Sequence, residues 1–217
     1  MIDNDIPLEA LRPQLIEAML VHVPFDGWSA IARTAGAQDA GIDPDIAALA
    51  LPDAASMADA YTRRADAMMA EALENAGIAQ MKVRDRIRLA LTTRLEQAAD
   101  NKEAVRRALA VMSTPANAPM ALSTLWRTAD AMWRAAGDTA TDFNHYSKRI
   151  ILGSVYSAVL LYWLDDDSED MADTHAFIDR RLADVMRIEK AKLSVKQALS
   201  KFPDPARFLG RLRYPVS

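Results

Sequence analysis

Side chains that could take part in chemistry concentrate in one stretch of this sequence, residues 126–149. Asp138 and Asp142 supply carboxylates there, and His145 follows Asp142 at a spacing that places both on one helical face as a possible acid–base pair. Pairs at this spacing are more often surface or capping interactions. The sequence contains no nucleophile elbow, phosphate-binding loop or dinucleotide-binding fingerprint. We therefore predict no catalytic residues, no cofactor and no enzymatic activity.

The spacing of ligand-type residues does not favour a metal site either. The chain has no cysteine, which excludes thiolate ligands and thiol nucleophiles. The acidic run Asp165–Asp170 lacks the glycine and the glutamate of a calcium loop, because Asp170 and Ala176 stand at those positions. We interpret this run as a solvated turn with Ser168 or Asp170 as a helix N-cap. The histidines lie on separate segments, at His22, His145 and His175.

Two predicted helices position the polar stretch at 126–149. The first carries apolar residues at helical spacing and ends at Gly137. The second begins with Asp142 as its N-cap and has Phe143, Tyr146 and Ile150 as its first inward positions. The apolar stripe that predicts the first helix consists of Leu122, Leu125, Trp126, Ala129, Met132, Trp133 and Ala136.

The second helix continues into the longest apolar run of the chain, Ile150–Leu164. At this length the run is too short to span a bilayer, which requires about 20 apolar residues. Because it is apolar on almost every side, it is either a central core helix or a helix that lines an apolar cavity. Small residues, Gly153, Ser154 and Ser157, form one stripe on it.

The remaining sequence is also typical of an all-α protein. Of 217 residues, 51% are hydrophobic and only 7 are glycine, and no stretch alternates like a strand. The length suits one domain with a sizeable core. Two short helices joined by a turn at Gly36 to Gly41 follow the first helix. The other predicted helices are Leu8–Val21, Pro52–Ala76, Ile78–Ala99, Asn101–Met112 and Met171–Glu189.

A resemblance to a known family rests on the string D-x-M-W-x-x-A-G-D-x-x-T-D-F-N-x-Y-x-K-R, residues 130–149. It resembles the signature of the Coq-nine family of ubiquinone-biosynthesis accessory proteins, which are lipid-binding helical proteins with the fold of tetracycline-repressor-type regulators. This chain departs from the pattern at His145, where the family usually carries Trp. The resemblance implies helix-turn-helix-like helices at residues 1–51, a lipid-binding bundle with an apolar cavity at 52–189, and a basic amphipathic tail at 190–217.

The resemblance also implies a function. The protein would hold a polyprenylated quinone intermediate, or a phospholipid, and present it to a membrane-associated di-iron hydroxylase. It could do so as a homodimer. The lipid-binding residues expected on this basis are Leu125, Met132, Ile151, Val155, Tyr156, Val159, Leu160, Ile178 and Leu182. Those expected to bind the hydroxylase are Asp130, Trp133, Asp138, Asp142, His145, Tyr146 and Arg149.

The C-terminal segment from Lys190 differs from the rest of the chain in charge. It carries a net charge of +6, whereas residues 1–189 carry −10. Basic segments with apolar anchors bind anionic membrane surfaces, each cation contributing about 1 kcal/mol; a solvated tail is the alternative. The N-terminus lacks a secretory pattern, so we expect a cytoplasmic, peripheral membrane protein, on the matrix side if mitochondrial. The expected membrane residues are Phe202, Arg207, Phe208, Arg211, Leu212 and Arg213.

Two other classes remain open. A tetracycline-repressor-type regulator would share the fold and hold an inducer in the cavity. Its DNA-binding helices would lie within Asp26–Asp53, where Arg33 is the only cation against five aspartates, a net charge of −4. Because phosphate contacts need Lys and Arg, we expect no nucleic-acid binding. A pure dimerisation or scaffold protein is the third possibility.

Overall fold

A computed structural model of the protein describes residues 7–139 and 143–200, except the side chains of 143, 144, 189–193 and 195–200. The described residues are helical and contain no strand, so the all-α prediction is confirmed. One compact unit ends at Ile178 and a second begins at Asp179. The helices are α1 (Leu8–Met19), α2 (Val23–Asp26), α3 (Ala30–Asp39), α4 (Pro44–Ala50), α5 (Ala54–Asn75), α6 (Val83–Glu96), α7 (Lys102–Met112), α8 (Ala118–Ala135), α9 (Phe143–Leu164) and α10 (Ala172–Ser200).

Helices α1, α3 and α4 form the N-terminal head. The turn between α3 and α4 lies after Asp39, so the prediction that it begins at Gly36 is wrong. Gly36 is inside α3, where a Cβ atom would approach the backbone nitrogen of Met19 to 2.9 Å. Its missing side chain allows α1 and α3 to pack closely. Gly41, at φ +66°, makes the turn, and Asp43 caps α4 by accepting from the Asp45 N–H at 2.8 Å.

Helix α5 is the central helix of the first unit and packs against α1, α6, α7 and α8. A capping box between Asp53 and Ser56 fixes its start. The head is joined to this bundle by Trp28, whose ring packs near Tyr61 of α5 and whose Nε1 donates to the Ala104 carbonyl of α7 at 3.0 Å. The predicted Ile78–Ala99 helix is shorter, because Gly77 at φ +62° and an extended Met81–Lys82 link precede α6.

The inward face of α8 differs from the predicted apolar stripe. Leu122 is 69% exposed, whereas Thr124 and Thr128 are buried. Their hydroxyls donate to carboxylates of α5, Thr124 to Asp59 at 2.5 Å and Thr128 to Asp66 at 2.9 Å. These hydrogen bonds compensate the burial of polar groups and turn that side of α8 towards α5. Gly137, at φ +84°, ends the helix as predicted.

Helix α9 is not surrounded by protein on every side. Ile150, Leu161 and Tyr162 are exposed, and its buried face is centred on Val159 and Trp163. The prediction that Tyr146 and Ile150 point inward is therefore wrong, since both are exposed. The predicted N-cap Asp142 lies outside the described residues.

The acidic turn before α10 is not fully solvated, contrary to the prediction. Asp166 is buried and accepts hydrogen bonds from the backbone N–H groups of Ser168 at 2.8 Å and Thr174 at 2.9 Å. The hydroxyls of the same two residues also donate to it. Asp166 thereby ties the start of α10 to the end of α9. Asp170 has φ +51° and does not cap the helix.

Helix α10 runs without a break to Ser200, so the boundary predicted between residues 189 and 190 lies inside it. The predicted membrane residues from Phe202 to Arg213, and the short helix predicted there, lie outside the described part of the chain. In residues 7–139 and 143–200, no helix is long and apolar enough to cross a membrane.

Candidate functional site

A cavity of about 280 Å³ lies in the first unit, between helices α5 to α9. This volume is close to the lower end of small-molecule sites, about 300–1,000 Å³. Most of its wall is aliphatic, which suits an apolar ligand. The lining residues with apolar side chains are Leu95, Ala98, Val105, Ala108, Leu109, Met112, Ala121, Leu125 and Leu160.

The cavity contains some of the residues predicted to bind lipid. Leu125, Tyr156 and Leu160 line it. The remaining predicted residues of the first unit do not: Met132, Val159 and Ile178 are completely buried in the core, Val155 is buried, and Ile151 is half-buried. Their apolar character serves packing between helices. Leu182 belongs to the second unit.

Helices α6 and α7 supply much of the wall, although no residue of either helix was predicted to bind lipid. Leu95, Val105 and Leu109 are the main aliphatic contributors from these helices. Their apolar positions are equally typical of a packed core, so the sequence holds no signal that distinguishes a wall from a core at these sites. Arg94 on α6 carried such a signal, since a charged residue within the inward stripe of a helix is unusual.

One wall of the cavity is polar and is built around Arg94. Its side chain is buried, and its Nε lies 3.4 Å from Oδ1 of Asp66, the carboxylate that Thr128 also holds. Burial raises the pKa of Asp66 by more than Arg94 and Thr128 lower it. Tyr61 and Tyr156 also line the cavity. Burial raises the pKa of both phenols, so they stay protonated and act as donors at neutral pH.

The signature residues between α8 and α9 form a cluster of ion pairs, which we call the α8–α9 clasp: Asp130, Asp138, Lys148 and Arg149. Arg149 is only 2% exposed, and its Nε and Nη1 lie 2.6 Å from Asp130 and 3.2 Å from Asp138. Lys148 Nζ binds Asp138 at 2.6 Å. Burial alone would raise the pKa of Asp138, but the hydrogen bonds and charges of Lys148 and Arg149 lower it below its usual value.

The clasp corrects the predicted docking surface, because these residues do not form one exposed patch. Arg149 is buried and points to the two carboxylates, and Trp133 donates from Nε1 to the Lys148 carbonyl at 3.1 Å. These contacts join α8 to α9. The predicted surface is thereby reduced to His145 and Tyr146, while Asp142 lies outside the described residues.

Three aromatic rings gather on the solvent side of the clasp. Tyr146 is 57% exposed, and its ring lies 5.2 Å from His145 and 5.9 Å from Trp126, which is half-buried. Trp126 was predicted as a core residue and instead contributes to this surface. The residue that departs from the family pattern, His145, is thus surrounded by two large rings.

Within residues 7–139 and 143–200, no cluster of three or more His, Asp or Glu side chains is placed to hold a metal ion. Arg94, the charged residue that lines the cavity, is paired with Asp66 rather than aligned with a nucleophile. The arrangement can bind an apolar molecule and offer it a few hydrogen-bond donors.

Comparison with known proteins agrees with the signature. The COQ9 family model matches residues 118–189, which include α8, α9 and the clasp. Over 87% of its length, the chain is 32% identical to the mitochondrial ubiquinone biosynthesis protein COQ9 of Rattus norvegicus, and equally to that of Homo sapiens. It spans about three fifths of the length of these relatives, 62% and 61%.

The fold has a solved counterpart. The crystal structure of a TetR transcriptional regulator from Nitrosomonas europaea superposes with a TM-score of 0.64 at 19% sequence identity, covering 80% of this chain and 97% of the regulator. At this identity the likeness concerns the fold alone. The resemblance and the fold expected from the signature are confirmed: the chain is similar to COQ9 proteins, and its fold is of the tetracycline-repressor type.

Proposed function

We propose that this protein is a non-catalytic, lipid-binding accessory protein of ubiquinone biosynthesis. It holds the ring and the first isoprenoid units of a polyprenylated quinone intermediate in the cavity and presents them to a di-iron hydroxylase. The observation that carries the proposal is the cavity itself, whose aliphatic wall includes residues of the COQ9-matched segment, Leu125 and Leu160. The names of the similar COQ9 proteins, which place them in ubiquinone biosynthesis, support the pathway.

Physical chemistry supports a carrier role for such a cavity. An isoprenoid tail is insoluble in water, and each 100 Å² of its surface buried against Leu95, Leu109 or Leu160 is worth about 2.5 kcal/mol. The cavity volume of about 280 Å³ is too small for a long tail. The distal units of the tail therefore stay outside the cavity, and we propose that they remain in the bilayer.

The regulator alternative is disfavoured by the head. Helix α4, Pro44–Ala50, occupies the position of the second helix of a helix-turn-helix and carries no Lys or Arg. Arg33, the one cation between Asp26 and Asp53, donates from Nη1 to the carbonyls of Leu51 at 2.8 Å and Pro52 at 3.2 Å. A phosphate backbone would find mainly aspartates on this surface, and the electrostatic part of DNA affinity would be repulsive.

The interaction partners belong to the same proposal. We propose that the exposed ring of Tyr146 and the half-buried ring of Trp126, together with His145, contact the hydroxylase. We also propose that the tail from Phe202 to Arg213 contacts an anionic membrane surface, that the protein is peripheral to that membrane, and that it acts as a homodimer. The similar COQ9 proteins are named as mitochondrial, which supports a mitochondrial location for a eukaryotic member, where we propose the matrix side.

The test fills the cavity without adding charge. Ala108 is buried on α7 and lines the cavity, whereas Ala110 on the same helix is exposed. Ala108→Phe should strongly reduce the lipid that is extracted from the purified protein and identified by mass spectrometry. Ala110→Phe, the matched control, should retain it.

Circular dichroism and thermal melting verify that both variants are folded. A wild-type protein that yields no extractable isoprenoid or phospholipid would contradict the proposal. A folded Ala108→Phe variant with an undiminished lipid content would show that the ligand binds elsewhere.

A further inference from the structure

The surface around helix α2 exposes several large apolar side chains. Phe25 is 83% exposed, more than any other large apolar side chain that the structure describes, and Val21 and Ile31 are 70% and 68% exposed. We call these three residues the α2 patch. Single exposed apolar residues are ordinary on protein surfaces, but several on neighbouring elements mark an interaction site.

The three residues lie on elements that are packed together. The turn from α1 into α2 is hydrogen-bonded, since the His22 N–H donates to the Met19 carbonyl at 2.9 Å and the Phe25 N–H donates to the His22 carbonyl at 3.0 Å. Helix α2 contacts α3, the helix that carries Ile31. His22 Nε2 also lies 2.7 Å from Oδ2 of Asp39, at the end of α3. The α2 patch therefore belongs to an ordered part of the fold.

Folding does not account for the exposed phenyl ring. Val23 and Trp28, on either side of Phe25 in the chain, are buried and complete the packing of this region. A polar residue at position 25 would leave that core unchanged. An exposed Phe instead favours association with another surface.

The surroundings of the α2 patch are acidic. Residues 26–53 contain five aspartates and one cation, Arg33, whose guanidinium donates to backbone carbonyls. Arg107 of α7, which donates to the Pro24 carbonyl at 2.9 Å, is paired with Glu103 at 2.9 Å. The aspartates would repel an anionic membrane or a nucleic acid. The patch is suited to a partner that combines cations with apolar side chains.

The chain itself contains a segment of that composition. Residues 201–217, which lie outside the described part of the chain, carry four cations against one aspartate. The apolar and aromatic side chains of this segment include Phe202, Phe208, Leu209, Leu212 and Tyr214. Its charge is opposite to that of residues 26–53, and both surfaces gain by removing apolar groups from water.

We propose that the α2 patch docks the C-terminal segment, residues 201–217, and thereby withholds it from membranes. The cations of the segment face the aspartates around the patch, and its aromatic side chains cover Phe25. The docking goes beyond the proposed function, whereas its consequence rests on the proposed membrane contact of the tail. Because the same side chains cannot contact the patch and a bilayer at once, an anionic membrane must compete with the patch for the segment.

The first measurement detects the docking in the full chain. The chain has no cysteine, so Thr34→Cys and Ser217→Cys allow a pair of dyes to be attached specifically. Thr34 is exposed on α3, three residues after Ile31. The segment comes from the same molecule or from a second copy, so every molecule carries both dyes. We expect Förster energy transfer at low ionic strength and a large loss of transfer at about 1 M salt, where the Debye length is about 3 Å.

The variants remove apolar surface without changing charge. Phe25→Ser in the labelled chain should also lower the energy transfer, and Ile31→Ser provides a second variant. Val83→Ser is the matched control, because Val83 is an exposed apolar residue at the start of α6. It should leave the transfer unchanged. Circular dichroism verifies that all variants are folded.

The second measurement is sedimentation of the unlabelled full chain with vesicles of equal parts phosphatidylcholine and phosphatidylserine. Only the released segment binds the vesicles, so the fraction that is free sets the apparent affinity. Phe25→Ser and Ile31→Ser should therefore increase vesicle binding, by at least about 3-fold if about two thirds of the segment is docked. Val83→Ser should bind like the wild type.

The outcomes separate the docking from the proposed membrane contact. Absence of energy transfer at low ionic strength, or equal transfer with and without Phe25→Ser, overturns the docking. Weaker vesicle binding by Phe25→Ser also overturns it, because the patch would then contact the membrane itself. An α2 patch that binds a second α2 patch would give no transfer and a smaller sedimentation coefficient for Phe25→Ser, which again overturns the docking. If neither the wild type nor any variant binds vesicles, the proposed membrane contact is wrong, and the energy transfer alone decides the docking.

Discussion

Removal of the Arg149 side chain is the perturbation that best distinguishes a structural clasp from a docking surface. In Arg149→Met, the carboxylates of Asp130 and Asp138 lose a cation that lies 2.6 and 3.2 Å away. Both carboxylates remain between α8 and α9, where their side chains are 18% and 8% exposed. Breaking a buried ion pair in this way destabilises proteins by about 3–5 kcal/mol, because an uncompensated charge stays behind.

The expected magnitude is at the lower end of that range. Lys148 still neutralises Asp138 at 2.6 Å, and Arg134 still pairs with Asp130 at 2.7 Å from the surface. We therefore expect a loss of about 3 kcal/mol in the free energy of unfolding, a large fraction of the about 5–15 kcal/mol that holds a domain together. Urea denaturation followed by circular dichroism measures it, provided that the m value is unchanged.

Two further observations test the electrostatic cause. Arg134→Met removes an exposed cation from the same Asp130 and should cost at most about 1 kcal/mol. The pKa of Asp138 lies below its usual value in the folded protein, so its contribution to stability is present above pH 4 and is lost as the pH falls. The stability difference between the wild type and Arg149→Met should therefore shrink on acidification. A loss below about 1 kcal/mol at neutral pH, or weaker hydroxylase binding by a variant of unchanged stability, would refute the clasp.

Two other predictions concern the end of α9 and its beginning. Burial alone would raise the pKa of Asp166. The hydrogen bonds from Ser168 and Thr174 outweigh this effect and lower the pKa strongly. The contribution of Asp166 to stability is therefore present at neutral pH and is lost as the pH falls below about 4. Asp166→Asn should lower the free energy of unfolding by about 1–3 kcal/mol at pH 7 and by less at pH 3, as measured by urea denaturation. The control Asp167→Asn, at the exposed neighbouring residue, should change it little. Equal effects of Asp166→Asn at both pH values would contradict this electrostatic cause. Tyr146→Ala should weaken hydroxylase binding by about 2 kcal/mol in surface plasmon resonance with an unchanged melting temperature; a lower melting temperature with unchanged binding would make Tyr146 a packing residue.

The sequence predicted the helices well wherever local chemistry decides them. Gly137 ends α8 as predicted, because the positive φ angle at the end of this helix favours glycine. Gly36 misled the prediction, since glycine also occurs where two helices approach closely, and only the tertiary structure shows Met19 against it. A local sequence pattern does not show how closely α1 and α3 approach each other.

The candidate site was predicted less completely, for a related reason. Periodicity shows which side of a helix is buried but not whether a cavity or another helix lies opposite. Leu160 and Val159 are neighbours with the same apolar character, yet only Leu160 lines the cavity. Likewise, Leu122 was placed on the inward face by its hydrophobicity but is exposed, whereas the polar residue Thr124 is buried and donates a hydrogen bond to Asp59.

The position of the clasp explains how a signature can be specific without being a docking surface. The cavity uses Leu125 of α8 and Leu160 of α9, so its shape depends on how these two helices are held together. Hydrophobic contacts tolerate sliding, whereas the two ion pairs of Arg149 fix both the distance and the register of α8 and α9. A charged cluster beside the cavity therefore preserves the geometry of an apolar site. The carrier role that we propose for this chain depends on that geometry, because the cavity keeps its shape only while α8 and α9 stay in register.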